Sequence, residues 1–297
     1  MPVMQHPRLY FEALTPHVDR KTMSFILLFS RISTYRLATL KRQGRIWIYM
    51  YILGNWKDKL DVNSSAELAT CIATKASNKY SNMEIVLFPD DVSLAKVSSI
   101  FASSPIIKIG AQDGPLEETG TLTGSITVSN ISRFCDYVIL GHSERRSKLY
   151  ETDEIVAKKA AVASSLGLTP VICVSKGNAS STDPYQGIKN QIVAIPRRIL
   201  NQGELLIAYE PIDAIGNGLP ANPKSVEETT QFIHEMISSL VPSISIPVLY
   251  GGSVDAENVT SYLPLKGVDG VLVGGASLVA DSFLSIVEKA SYIEQAR

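Results

Sequence analysis

The stretch ELLIAYEPIDAIGNG, residues 204–218, begins with a strand-like apolar run, continues through a charged residue and ends in a segment that contains glycine. The run is apolar almost throughout, as in a parallel strand covered on both faces, and it ends on the carboxylate of Glu210. Pro211 ends the strand because proline has no backbone N–H to donate to a sheet. Gly216 and Gly218 then allow the backbone to move. We therefore predict a buried strand that brings an acidic side chain to the edge of a sheet, followed by a mobile loop.

The same combination recurs along the chain from residue 51. Eight short apolar or β-branched runs are present: YILGNWK (51–57), EIVLFPD (84–90), IIKIGAQ (106–112), DYVILGHS (136–143), TPVICVS (169–175), ELLIAYE (204–210), PVLYGGS (247–253) and GVLVGGA (270–276). Most of the intervening segments have helical periodicity or helix-start signals, as in SAELATCIATKAS and SVEETTQFIHEMISSL. Apolar strands separated by helices predict a parallel sheet covered by those helices.

The number of units predicts a (β/α)₈ TIM barrel over residues 50–297, with eight parallel strands and outer helices. Units of about thirty residues match this fold, which typically takes about 250 residues. A doubly wound open sheet is the weaker alternative, because no G-x-G-x-x-G follows an early strand. Barrel enzymes carry their active sites at the C-terminal ends of the strands, so the residues that follow each run are the candidate site.

Residues 1–49 do not match the barrel pattern and are predicted to be a non-barrel extension. They are rich in basic residues and poor in acidic ones. Three interpretations stay open: a poorly ordered or non-native extension, an organelle-targeting segment, and a packed accessory helix. We expect a cytoplasmic protein, with import through residues 1–49 as the alternative.

Composition excludes several classes of function. A content of 45% hydrophobic and 19% charged residues is typical of a globular protein. No apolar run approaches the roughly 20 residues of a membrane helix, and residues 51–297 contain no basic stripe interleaved with aromatics, so neither membrane nor nucleic acid is an expected partner. Cys71, Cys135 and Cys173 lie far apart without metal-ligand spacing, which predicts packed, free thiols in a reducing compartment and no metal site.

Polar residues stand at several predicted strand ends. Asn55 and Lys57 close the first run and share a face. The fourth run ends in His142, with Glu144 two residues on, and Glu210 ends the sixth. Singly, each is an ordinary loop or turn residue. Together, at one end of a barrel, they indicate a catalytic site.

Two glycine pairs complete this end of the predicted barrel. Gly251-Gly252-Ser253 ends the seventh run, and Gly274-Gly275 lies at the end of the eighth. Backbone N–H groups at a helix start attract anions, and glycine lets a phosphate approach them closely. Phosphate sites after strands seven and eight recur in barrel enzymes. The sequence therefore predicts a small phosphorylated substrate.

Five motifs in order resemble the triosephosphate isomerase family: GNWK at 54–57, GHSERR at 141–146, AYEPI-x-AIG-x-G at 208–218, YGGSV at 250–254 and VGGASL at 273–278. The resemblance runs from about residue 51 to the C-terminus. It implies interconversion of dihydroxyacetone phosphate and glyceraldehyde 3-phosphate through an enediolate, a glycolytic and gluconeogenic reaction that uses no cofactor.

The resemblance also assigns roles to residues. Glu210 becomes the base, His142 a neutral electrophile and proton shuttle, Lys57 and Asn55 stabilisers of developing negative charge, and Glu144 a supporting acid. The implied substrate-binding residues are Asn55, Lys57, Gly216, Ser253, Gly274 and Gly275. The implied lid is Pro211, Ile212, Asp213, Ala214, Ile215, Gly216, Asn217 and Gly218, which closes over the phosphate and excludes water.

The chain departs from the family at two positions. Asp213 stands where the lid commonly carries Trp, which predicts weaker lid closure. Ser125 stands where Glu is usual after Thr123-Gly124, which predicts that an ion pair to Arg145 is absent. The long loop containing Thr123 resembles the segment that enters a partner subunit, so a homodimer is expected.

Two alternative functions remain open. One is a paralogous isomerase of a four-carbon keto-phosphate such as erythrulose phosphate, which Asp213 favours. The other is a non-catalytic barrel that binds phosphorylated metabolites, against which the retained base and imidazole argue. His6, His17 and His234 are interpreted as incidental, with His234 titrating in solvent, and Cys173 as a packed thiol.

Overall fold

The computed structural model describes residues 50–76, 80, 83–104, 106–114, 116, 123, 126–176, 183–212 and 219–296. The predicted extension, residues 1–49, lies outside the described residues, as do the predicted lid residues 213–218, Gly124 and Ser125.

The eight predicted strands form a closed parallel barrel in which each strand pairs with the next and β8 pairs with β1. Their bounds are β1 Met50–Asn55, β2 Met83–Phe88, β3 Ile107–Ala111, β4 Tyr137–Leu140, β5 Thr169–Val174, β6 Leu206–Tyr209, β7 Val248–Tyr250 and β8 Gly270–Val273. The predicted (β/α)₈ TIM barrel is confirmed. All strand ends that carry candidate residues therefore face the same rim.

Helices connect the strands on the outside of the barrel. Within the described ranges they are α1 Val62–Lys75, α2 Leu94–Ile100, α3 Val128–Ile131, α4 Ser143–Lys148, α5 Asp153–Ser165, α6 Gln186–Ala194, α7 Arg197–Gln202, α8 Pro223–Leu240 and α9 Ala280–Ala296, with 3₁₀ turns at Val259–Ser261 and Gly275–Leu278. Asp61, Thr152 and Asn222 cap α1, α5 and α8 by accepting backbone N–H bonds in the first turn. None of the helices in these ranges is long and apolar enough to span a bilayer.

The strands separate two apolar layers because their side chains alternate with a period of two. Inside the barrel lie residues such as Leu53, Phe88, Ile139 and Leu272, while a larger cluster packs between strands and helices. Gly110 is required where the ring of Phe88 crosses the interior, since a β-carbon there would lie 2.1 Å from that ring. The barrel is thus a packed core whose open end is the C-terminal rim.

His234 lies on helix α8, as the helical periodicity predicts, and its side chain is half-buried against a neighbouring turn. Its Nε2 lies 3.1 Å from Asp269 Oδ2 and 3.2 Å from Gly267 O, in the turn before β8. Helical periodicity reports which face of α8 is buried, and not which loop packs against its edge. His234 lies outside the candidate site.

Candidate active site

A cavity of about 420 Å³ opens at the C-terminal rim of the barrel. The residues that line it are Asn55, Lys57, His142, Glu210, Gly251, Gly252, Ser253, Val254, Asp255, Leu272, Gly274, Gly275 and Ala276. Most follow β1, β4, β6, β7 or β8, so separate strands bring these side chains together.

Lys57 reaches the cavity through an unusual backbone conformation. Strand β1 ends at Asn55, and Lys57 has a φ of 53°, in the left-handed region that costs a non-glycine residue about 1 kcal/mol or more. Asn55 Oδ1 accepts the Lys57 N–H at 3.0 Å, and Gln112 Nε2 donates to Lys57 O at 2.8 Å and to Phe88 O at 3.0 Å. These three bonds stabilise the turn that aims the ammonium at the cavity.

His142 lies two residues beyond β4 and is the N-cap of α4. Its Nδ1 accepts the Glu144 N–H at 3.3 Å, and its Nε2 lies 3.0 Å from Glu210 Oε1. A nitrogen that accepts a hydrogen bond carries no proton, so this arrangement suits a neutral imidazole whose proton is on Nε2. The start of α4 thereby selects the tautomer that donates to Glu210.

Glu210 is a buried carboxylate, 2% exposed, at the end of β6. Its Oε2 accepts the Ser143 N–H at 2.7 Å, while Oε1 contacts His142 Nε2. Burying a carboxylate is costly unless hydrogen bonds replace its water. Both oxygens have such a partner, so the charge is tolerated next to the cavity.

Glu144 connects the cation to the imidazole. Its Oε1 accepts from Lys57 Nζ at 2.8 Å and its Oε2 lies 3.6 Å from His142 Nδ1. Burial alone raises the pKa of Glu144, but the hydrogen bond and charge of Lys57 outweigh it, so the pKa is lowered. Lys57, Glu144, His142 and Glu210 therefore form a continuous row in which each side chain contacts the next.

The two glycine pairs form the opposite wall of the cavity. Gly252 packs directly on the side chain that ends β7, because a β-carbon there would lie 2.2 Å from Tyr250 Oη. Gly275 has nothing within 4 Å of a β-carbon position, so its backbone is open to a ligand. Ser277 is fully buried and donates to Gly274 O at 2.7 Å, which shapes the second loop.

The structure brings most of the predicted residues together. Asn55, Lys57, His142, Glu210, Ser253, Gly274 and Gly275 all line the cavity, and Glu144 contacts two of them from outside it. Pro211 and Ile212 follow Glu210 directly, and Ile212 is 51% exposed. The remaining lid residues and Gly216 lie outside the described residues.

Sequence reasoning missed three residues that support the site. Gln112 holds the Lys57 turn, Ser143 N–H holds Glu210, and Ser277 shapes the glycine loop. Gln112 ends the third apolar run, so the strand-end rule that selected Glu210 was sufficient to find it. Ser143 contacts Glu210 through its backbone N–H, and a pattern of side chains in the sequence does not predict a backbone contact.

Arg145 is paired, although the expected partner position, Ser125, lies outside the described residues. Its Nη2 lies 2.7 Å from Asp113 Oδ2 and its Nε donates to Glu151 Oε1 at 2.8 Å. Lys159 contacts the same two carboxylates. We call Asp113, Arg145, Glu151 and Lys159 the charge quartet. It ties the loop after β3 to α4 and α5.

Other chemistry has little support in the residues that the structure describes. These ranges contain no group of three or more His, Cys, Asp or Glu placed to hold a metal ion. Cys71, Cys135 and Cys173 are free thiols, and the last two are buried, as predicted.

Comparisons with known proteins agree with these observations. A sequence model of the family described as triosephosphate isomerase matches residues 50–290. The chain is 34% identical over 247 residues to triosephosphate isomerase of Dehalococcoides mccartyi strain CBDB1, covering 82% of this chain and 97% of that protein. It is 36% identical over 244 residues to triosephosphate isomerase of Azoarcus sp. strain BH72, covering 80% and 98%. A third relative, triosephosphate isomerase of Francisella tularensis subsp. novicida, is 34% identical over 252 residues, covering 82% and 97%.

Proposed function

The chain belongs to the triosephosphate isomerase family, and we propose on that premise that it interconverts dihydroxyacetone phosphate and D-glyceraldehyde 3-phosphate through an enediolate. The observation that carries the proposal is the contact between a buried carboxylate and an imidazole, 3.0 Å from Glu210 Oε1 to His142 Nε2, at a cavity that Lys57 also lines. A binding protein for phosphorylated metabolites needs no such pair.

Glu210 is the proposed base. It removes a proton from the carbon beside the carbonyl, the C–H electron pair forms the carbon–carbon double bond, and negative charge moves to the carbonyl oxygen. A positioned general base accelerates such a step about 10²- to 10⁴-fold. In the free protein Glu210 is held by Ser143 and His142, so substrate has to replace those contacts before the carboxylate faces the carbon.

His142 is the proposed proton shuttle between the two oxygens. The Nε2 proton passes to the oxygen that has gained negative charge, and the ring then takes the proton of the neighbouring hydroxyl. Glu210 returns its proton to the adjacent carbon. Two protons move within one molecule and nothing is oxidised or reduced overall, so the reaction needs no cofactor.

Lys57 and Asn55 are the proposed stabilisers of the enediolate. An ammonium and an amide that already point into a cavity cost little reorganisation when charge develops, and one such donor is typically worth about 10²- to 10³-fold in rate. Glu144 supports this role, since it holds Lys57 Nζ at 2.8 Å.

The phosphate is assigned to the glycine wall, with Ser253, Gly274 and Gly275 in contact with it. We also propose that residues 211–218 act as a lid and that the Gly216 N–H joins the phosphate when the lid closes. The cavity lining supports the first assignment. The second rests on the sequence motif.

A cytoplasmic homodimer, formed through the loop containing Thr123, completes the proposal. Exposed apolar side chains in the loops after β3 and β4 support a contact surface there: Tyr150 is 81% exposed, Leu149 59% and Leu116 47%. Light scattering of the purified protein should give twice the mass of one chain, and a monomer at micromolar concentration would contradict the dimer.

The proposed reaction is tested by following glyceraldehyde 3-phosphate formation from dihydroxyacetone phosphate. We expect turnover by the intact chain, weak turnover of erythrulose phosphate, and a loss of about 10²-fold or more in Glu210→Asp, whose shorter side chain draws the carboxylate back from the carbon. A preference for the four-carbon substrate would favour the paralogous isomerase. An equally fast Glu210→Asp enzyme would refute the assigned base.

A further inference from the structure

Two tyrosine hydroxyls hold both backbone polar groups of Ala221. Tyr250 Oη accepts the Ala221 N–H at 3.2 Å, and Tyr262 Oη donates to Ala221 O at 2.7 Å. The two rings stack on each other, with centroids 4.3 Å apart. Tyr250 and Tyr262 are 0% and 2% exposed, so water does not replace these bonds easily.

Ala221, Tyr250 and Tyr262 form a cluster that joins three separate parts of the barrel. Ala221 ends the connection from β6 and precedes Asn222, which caps α8. Tyr250 is the last residue of β7, and Tyr262 follows the 3₁₀ turn Val259–Ser261. Stacking stabilises an aromatic pair beyond the burial of its rings, so each tyrosine resists movement of the other.

The cluster reaches the cavity through Gly252. That residue lines the cavity and packs so closely on Tyr250 Oη that a β-carbon would lie 2.2 Å from it. The position of the Tyr250 hydroxyl therefore sets the position of the Gly252 backbone, which belongs to the glycine wall. Tyr262 contacts Tyr250 and not the cavity. Its ring and its hydrogen bond to Ala221 fix where Tyr250 lies.

We propose that Tyr262 is a positioning residue for phosphate binding, acting through Tyr250 and Ala221 on the backbone of Gly252, an inference that rests on the proposed assignment of the glycine wall to the substrate phosphate. Tyr262 does not line the cavity and touches no reacting atom. Burial raises the pKa of Tyr262 by more than its hydrogen bond with Tyr250 lowers it, so the hydroxyl stays protonated and can donate throughout the neutral range.

The test is Tyr262→Phe, which removes one oxygen and keeps the ring. We expect KM for dihydroxyacetone phosphate to rise about 3- to 10-fold, the range of one lost hydrogen bond, with kcat within about twofold of the parent. Affinity for inorganic phosphate, measured by calorimetry without turnover, should fall by the same factor. Tyr250→Phe combined with Tyr262→Phe should raise KM by less than the product of the single effects, because both act through Ala221.

Tyr137→Phe is the matched control, since Tyr137 is also buried and donates to Glu84 at 3.0 Å, but at the beginning of β4. It should leave KM and phosphate affinity unchanged even if unfolding occurs in less denaturant. An active parent whose Tyr262→Phe variant keeps both constants within twofold would overturn the inference. A parent that binds phosphate without isomerising dihydroxyacetone phosphate would overturn the proposed reaction instead, while weaker phosphate binding by Tyr262→Phe would still support the positioning role. A parent that binds no phosphate would overturn both.

Discussion

At the scale of single residues, each charged group of the candidate site has a hydrogen-bonding partner in the free protein. Lys57 contacts Glu144 at 2.8 Å, and His142 contacts Glu210 at 3.0 Å. Such pairing lets four polar groups lie at the edge of an apolar core without a large cost of lost hydration. A substrate that carries its own negative charge competes for the same cation.

Removal of the ammonium is expected to weaken catalysis more than folding. Lys57→Met should lower kcat/KM about 10²- to 10³-fold, because one preorganised donor to the enediolate is lost. Lys59→Met, at an exposed position two residues away, is the control and should leave kcat/KM unchanged. Steady-state kinetics of both variants test this expectation. Equal kcat/KM for the two variants would show that Lys57 does not take part in catalysis.

The three thiols are expected to differ in reactivity. Burial raises the pKa of Cys135 to about 12 and that of Cys173 well above its ordinary value, with the Glu210 charge adding to the second shift. At pH 8 the native protein should therefore expose one reactive thiol, the half-buried Cys71, and the denatured protein three. Rapid modification of Cys173 in the native protein would contradict the packing of the barrel interior.

At the scale of elements, the short helix α4 positions two groups of the candidate site. It begins at Ser143, so His142 at its N-cap and the Ser143 N–H are fixed together. Arg146 Nε donates to Gly141 O at 2.7 Å, and Arg145 joins the charge quartet. The helix is too short to be stable alone. Its position therefore depends on these anchors.

Loss of one carboxylate from the charge quartet is expected to destabilise the fold. Glu151→Gln leaves the buried Lys159 and the half-buried Arg145 with one carboxylate, Asp113. Because both cations keep that partner, the loss should stay below the roughly 3 kcal/mol of a buried charge left without any partner. Burial works to raise the pKa of Glu151, but bonds from Lys159 and Arg145 outweigh it and lower the pKa. A lowered folded-state pKa contributes stability above the ordinary glutamate range, and this is lost as the pH falls through the lowered value.

Denaturant unfolding at several pH values measures this effect. The difference in unfolding free energy between parent and Glu151→Gln should be largest near neutral pH and shrink in acid. Glu154→Gln, in the exposed first turn of α5, is the control and should give a much smaller difference. A Glu151→Gln protein as stable as the parent at pH 7 would show that the quartet contributes nothing.

At the scale of the whole molecule, alternation of apolar runs and helical segments was sufficient to predict the barrel. Each strand is buried on both faces, so its apolar composition identifies it in the sequence. Because the strands are parallel, all their C-terminal ends lie on one rim. Glu210 and Lys57 were found because they interrupt that composition. Gln112, Arg145 and Tyr262 each contact a residue far away in sequence, namely Lys57, Asp113 and Ala221, and local patterns do not report such contacts. The contact of His234 with Asp269 is of the same kind.

The barrel is expected to be independent of residues 1–49. Strand β1 begins at Met50 and closes the sheet by pairing with β8 from Tyr51 onward. A version that begins at Met50 should keep kcat/KM within about twofold and unfold at the same denaturant concentration, because its cavity and core residues are unchanged. Aggregation or loss of activity in this version would show that the extension belongs to the folded unit.

The most direct test of the central claim follows the carbon-bound proton in heavy water. The parent should place deuterium from solvent on the carbon beside the carbonyl, as seen by proton NMR. In Glu210→Gln this incorporation should slow by at least about 10²-fold, while Glu204→Gln, exposed before β6, should match the parent. Deuterium incorporation that is equally fast in Glu210→Gln would contradict the assignment of Glu210 as the base.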